Sequence, residues 1–155
     1  MSALTGTVNS INSSGTITLG SPTADTVVTG NTQVNGLLIA TNVTFEQPVQ
    51  VNGTAQFTHC SCKQLCTVSG TINAQQTTFI ALDLYGAGQV FTACSLRNVA
   101  ITLPTSNKKP EPLQLIDTKI NGDITITPKD KMDVIIQGKT TINGAIAGAH
   151  RLIRK

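Results

Sequence analysis

A chain of 155 residues fits one domain and is long enough to bury a core. Its low charged fraction (12%), aromatic fraction of 3%, absence of Trp and wealth of Thr, Asn, Ser and Gly argue against a helical protein and for strands joined by tight turns. A net charge of +3, much of it in the closing His150-Arg151-Leu152-Ile153-Arg154-Lys155, is too small and too free of interleaved aromatics to read as a nucleic-acid interface.

The first thirty residues have neither a basic start nor an apolar signal core, and the longest apolar run is Leu37-Leu38-Ile39-Ala40. That is far short of the roughly 18 residues of a membrane span. The expectation is a soluble cytoplasmic protein, with export by a route lacking such a signal left open. Residues 1–15 read as an N-terminal cap or arm.

The repeat marker is Val34-Asn35-Gly36, then Val51-Asn52-Gly53 and Val68-Ser69-Gly70, recurring at a constant period of 17. Stacking the chain at that period aligns Val34, Val51, Val68 and Tyr85. It also aligns Ala40, Phe57, Ala74 and Phe91, and Phe45, Cys62, Phe79 and Leu96. Val43, Cys60, Thr77 and Cys94 form a further column, beside the hydroxyls of Thr44, Ser61, Thr78 and Ser95. Counting back one period from Val34 reaches Ile17, so the first turn of the repeat is expected to begin near Thr16. Apolar and polar residues alternate within each copy, the period of a half-buried strand. Like residues stacking on like at one constant offset is the mark of a coil in which each residue lies above its counterpart one period earlier. Asn-Gly is also a hairpin signal, so an antiparallel sandwich is the competing fold. The period, with no six-residue mark inside it, favours a right-handed over a left-handed parallel β-helix. About eight rungs at about 4.8 Å give a stack of about 35–40 Å.

Further along, Ile120-Asn121-Gly122 and Ile142-Asn143-Gly144 are read as the same marker, now at a longer period of 22. The extra residues fall within 127–133, whose Pro128 and charges read as a surface loop, and a second loop spans 104–112. The coil is placed over residues 16–146, followed by a basic C-terminal tail at 147–155, all as one domain over 1–155.

No cluster carries an obvious chemistry. Cys60, Cys62 and Cys94 sit in inward columns and read as core filler, without the Cys-x2-Cys pairing of a zinc knuckle. Cys60 and Cys94, two rungs apart at about 9.6 Å, are too far apart for a disulfide. His59, aligned with Asn42, Gln76 and Ala93, is expected to be exposed. His150 lies in the basic tail. The acids Asp25, Glu46, Asp83, Glu111, Asp117, Asp123, Asp130 and Asp133 scatter over different columns, unlike the carboxylate pair of a glycosidase. Glu46 and Lys63, with Arg97 further on, read as an outward charge ladder. Asp83 breaks its column of Val49 and Cys66, so it marks either a shift of register or a polar group with a specific partner. No catalytic, cofactor-binding or metal residue is assigned. The sequons at Asn12, Asn42 and Asn52 follow from the Asn/Thr-rich composition.

The repeated Val-Asn-Gly and Ile-Asn-Gly turns followed by short alternating strands resemble the bactofilins, over roughly residues 16–146. These are bacterial cytoskeletal proteins with a compact right-handed β-helix. The resemblance implies a bacterial scaffold that assembles end to end without nucleotide. The expected function is thus a non-enzymatic, self-associating scaffold and homo-oligomer. The alternative is a binding module for a protein or carbohydrate partner, using a flat coil face or the 104–112 loop. Few aromatics weigh against sugar stacking. A polysaccharide-processing enzyme is the lesser alternative. No nucleic-acid partner and no transmembrane segment are expected.

Overall fold

The structure, a computed structural model, describes residues 4–104 and 109–155. In chain order the strands are β1 (Gly6–Val8), β2 (Ile11–Gly20), β3 (Thr26–Val28), β4 (Thr32–Thr41), β5 (Val43–Phe45), β6 (Val49–Thr58), β7 (Ser61–Gln75), β8 (Thr78–Tyr85) and β9 (Val90–Thr92). They continue as β10 (Ser95–Thr102), β11 (Leu113–Ile116), β12 (Lys119–Ile120), β13 (Ile124–Thr127), β14 (Met132–Gln137), β15 (Thr141–Ile142), β16 (Ile146–Ala147) and β17 (Ala149–Arg154). The described residues contain no helix, and every strand pairing is parallel, forming a β-solenoid of about nine turns rather than a sandwich. That is one turn more than the sequence suggests.

Each turn has three faces, and each face sends columns of stacked side chains inward. On the first face, Val34, Val51, Val68, Leu84, Ile101 and Ile126 stack in register. On the second the column is Leu19, Ala40, Phe57, Ala74, Phe91, Leu115, Ile136 and Arg154. On the third it is Val8, Val28, Phe45, Cys62, Phe79, Leu96, Ile120 and Ile142. All four Phe of the chain are buried and touch in series. The centroids of Phe45, Phe57, Phe79 and Phe91 are 5.9, 5.4 and 6.1 Å apart in edge-to-face pairs. The rings alternate between third and second faces. The turns that carry Phe45 and Phe79 on the third face carry Ala40 and Ala74 on the second, so large residues share a turn with small ones.

The corners explain the turn residues. Between the first and second faces stand Gly15, Gly36, Gly53 and Gly70, in register and at positive φ. Beside them Asn52 Nδ2 donates to Asn35 Oδ1 at 2.8 Å, an amide ladder. Between the second and third faces, Asn42, His59, Gln76, Ala93 and Asp117 all have φ between 47 and 55°. This is the His59 column of the sequence, and its members share a left-handed backbone that costs most residues about 1–2 kcal/mol. Parallel pairing holds it in place: the His59 amide donates to the Gln75 carbonyl and that of Gln76 to Thr92.

Several sequence expectations need correction. Ile17 pairs with Leu38, and Val34 with Ser13, because the corner at Ser21–Asp25 is four residues longer than its successors. The coil also begins before Thr16: β1 and the start of β2 lie within 1–15, with Val8 in the third column. Residues 1–3 lie outside the described residues. At the other end, most of 147–155 is strand β17, paired with β14. Ile120 and Ile142 belong to the third face, not the column of Val34, so Ile-Asn-Gly turns a different corner from Val-Asn-Gly. Both corners need a sharp bend, and Asn-Gly serves either. The insertion at 127–133 stands where expected, between β13 and the paired part of β14. The 104–112 loop occupies the same corner one turn earlier, with residues 105–108 outside the described residues.

Tyr85 is the most consequential correction. Val68 stacks on Leu84 and Ser69 on Tyr85, because the corner from Phe79 to Leu82 is one residue shorter than that from Cys62 to Cys66. Asp83 therefore pairs with Thr67 on the outer side, and its odd column marked a shift of register. Tyr85 turns outward and is 44% exposed.

Candidate functional site

The four cysteines are free and buried. Cys60 and Cys94 share a column with Thr77, Thr118 and Thr140, and this column has a common task. Cys60 Sγ donates to the carbonyls of Ala40 and Thr58, and Cys94 Sγ to those of Ala74 and Thr92, at 3.3–3.4 Å. Thr77 Oγ1 donates to Gln75 at 2.9 Å and Thr118 Oγ1 to Ile116 and Phe91. A small side chain with one donor thus satisfies carbonyls at the left-handed corner, where a thiol or a hydroxyl both fit. Burial raises the Cys60 and Cys94 thiols above their ordinary range. Cys62 is pushed up further by its neighbour Cys66, then by burial. Neutral, enclosed thiols are poor nucleophiles and poor ligands. Among the described residues no group of three His, Cys, Asp or Glu is placed to hold a metal ion. The expected result is that folded protein leaves all four thiols unlabelled by a water-soluble alkylating reagent and carries no stoichiometric zinc. Cys60→Thr should cost less than about 1.5 kcal/mol, as for a near-isosteric swap, whereas Cys60→Ala loses the donor. Labelling of Cys60 in the native state would contradict this.

His59 and His150 are both exposed, on the second-to-third corner and on β17. Glu46, Lys63 and Arg97 follow one corner line, but Ile80 stands between Lys63 and Arg97. The ion pairs among the described residues lie elsewhere, on Asp133. Asp133, 6% exposed, receives Lys109 Nζ at 2.7 Å and Arg151 Nη2 at 3.3 Å on the same oxygen, Oδ2. The Lys109 ammonium, with Arg151 behind it, holds the carboxyl below its usual range against the opposing effect of burial. Asp133 thereby ties the 104–112 loop and the final strand to the loop at 127–133. Sequence reasoning left Asp133 in the surface loop, because both cations come from segments remote in the chain.

Sequence reasoning also missed Gln89, which lies in the interior at 0% exposure. Its Nε2 donates to the Gly86 carbonyl at 2.8 Å while Oε1 has no protein partner.

The outer side of the first face carries two hollows. Asp83 and Asp123 both line one hollow of about 400 Å³, together with Leu65, Ala81, Asn98, Ala100 and Thr125. A smaller, mainly apolar hollow of about 290 Å³ lies at the other margin of the same face, formed by Tyr85, Gly86, Thr102, Leu103 and Pro104. Asp25, Glu46, Glu111, Asp117 and Asp130 line neither. At the last turn, β15, β16 and β17 pair on one side with β12, β13 and β14. No described strand lies on their other side. Leu152, at an inward position opposite Val134, is 53% exposed, and Ile142 and Ile146 are half-buried. No helix of the described residues is long and apolar enough to cross a membrane. In comparisons with known proteins, no family model, no curated protein and no solved structure matches this chain.

Proposed function

We propose that the protein is a non-enzymatic structural scaffold that associates with itself through the ends or edges of its solenoid. The observation that carries this reading is that the strands of the first and last turns, β1 and β2 at one end and β15 to β17 at the other, each pair with described strands on one side only. Unpaired edges of this kind favour pairing with another chain. The two ends differ in charge. No charged side chain precedes Asp25, whereas Lys139, Arg151, Arg154 and Lys155 follow the last acid, Asp133. Arg154 falls in the second-face column directly after Ile136. An inward-pointing charge on an edge strand opposes pairing. Association is therefore head to head, through the first turn with its exposed Leu4 and half-buried Val8. The bactofilin-like turns are in keeping with this role, and a cytoplasmic location is part of the same proposal.

Light scattering of the full chain at low and high salt tests the reading. The expected result is a dimer at low salt that Leu4→Lys dissociates. Arg154→Leu, by removing the guarding charge, should add larger species, as should salt that screens the basic end. A full chain that stays monomeric at high concentration under both conditions would remove the basis for a scaffold.

A further inference from the structure

The short corner between Phe79 and Leu82 has a second consequence besides turning Tyr85 outward. Lys63 and Gln64 of β7 stand opposite the single Ile80 of β8, an irregularity of pairing between Cys62 and Leu65. Bulges of this kind re-aim side chains and are frequent beside binding sites. Leu65 is thereby left 43% exposed at the rim of the larger hollow. Ala81 and Ala100, small outward residues on successive turns, leave the hollow open. Asp83 and Asn98 flank it on those turns, and Asp123 and Thr125 close it on the next.

We propose that this face binds an oligosaccharide carrying free amino groups, with Asp83 and Asp123 as acceptors and Tyr85 as its stacking platform. The polar groups lining the hollow include two carboxylates and no cationic side chain, so the matching ligand is rich in donors and neutral to cationic. Arg97 lines a separate hollow with Thr78, Ile80 and Asn121. From the turn of Leu65 to that of Asp123 is three strand spacings, about 14 Å, the length of a short oligosaccharide rather than one ring. Tyr85 is the chain's sole tyrosine, and its hydroxyl donates to Asp83 Oδ2 at 3.4 Å, placing an exposed ring beside the acid. Beyond it, the apolar hollow at Leu103 and Pro104 offers a surface for the C–H face of a sugar. The site needs no second copy of the chain, so it stands or falls independently of self-association.

With one Tyr and no Trp, the intrinsic fluorescence of the intact protein reports on Tyr85 directly. Titration with a glucosamine oligomer should change that signal saturably, and calorimetry should give the same affinity. Asp83→Asn and Ala100→Leu, both on the outer side of the coil, should each weaken binding about 10–100-fold. Tyr85→Ala, followed by calorimetry, should do likewise. Glu46→Gln, remote from the hollow, should leave it unchanged. A glucose oligomer of equal length should bind more weakly. Three results would each overturn the proposal. One is no saturable response to the glucosamine oligomer. Another is equal affinity for the glucose oligomer or for a lysine oligomer. The third is binding indifferent to all three substitutions.

Discussion

Phe57→Ala should destabilise the protein by about 3–5 kcal/mol, among the largest losses available to a single side-chain truncation here. Phe57 is 1% exposed and stands between Phe45 and Phe79 in the ring series, so its removal breaks two edge-to-face contacts as well as leaving a cavity. Its column neighbours, Ala40 and Ala74, are too small to fill the space, and parallel pairing on both sides limits collapse of the backbone. Phe57→Leu keeps most of the volume and should cost about half as much or less. Denaturant unfolding monitored by circular dichroism gives the comparison. In a solenoid each turn contacts only its neighbours, so the loss should be local. Hydrogen exchange should accelerate first in β5 to β8 and least in β13 to β17. A loss below about 1 kcal/mol would contradict both the cavity and the ring contacts as sources of stability.

Gly53→Ala should be nearly as damaging, although it adds only a methyl group. Gly53 has φ of 139°, and a Cβ built there lies 2.0 Å from the Gly36 carbonyl oxygen. The obstacle is backbone, in the turn directly beneath, and cannot rotate away. Strain at the dihedral and overpacking each cost about 1–3 kcal/mol, so a total of about 2–6 kcal/mol is expected. Gly15 provides the control: its φ is 107° but nothing lies within 4 Å of the added Cβ. Gly15→Ala therefore pays the conformational part alone. Thermal unfolding of the two variants side by side separates the contributions. A Gly53→Ala protein no less stable than Gly15→Ala would refute the close-approach explanation.

Much of the solenoid was determined by the sequence alone, because stacking makes each turn repeat its neighbours' environment. Phe45, Cys62, Phe79 and Leu96 share a column in the sequence for the reason that they share one in space. The repeat period, the inward cysteines and the position of the 127–133 insertion are all legible for that reason. What the sequence left open is which corner absorbs a change in length. One residue lost between Phe79 and Leu82 and four gained near Ser21–Asp25 look alike in a list of offsets. Only backbone pairing decides where the register recovers. That decision moves Leu84 into the core, turns Asp83 and Tyr85 to the surface, and sets Asp83 at one hollow with Asn98 and Asp123. The same holds for Ile120, because Asn-Gly can bend the chain at either of two corners. The Asp133 cluster lay beyond local reading altogether: Lys109 reaches it from the loop one turn earlier and Arg151 from the final strand. Repetition is encoded locally, residue by residue. The surface hollow and the ion cluster on Asp133 arise where repetition fails, and there the physical cause is contact between turns, which only the tertiary structure fixes.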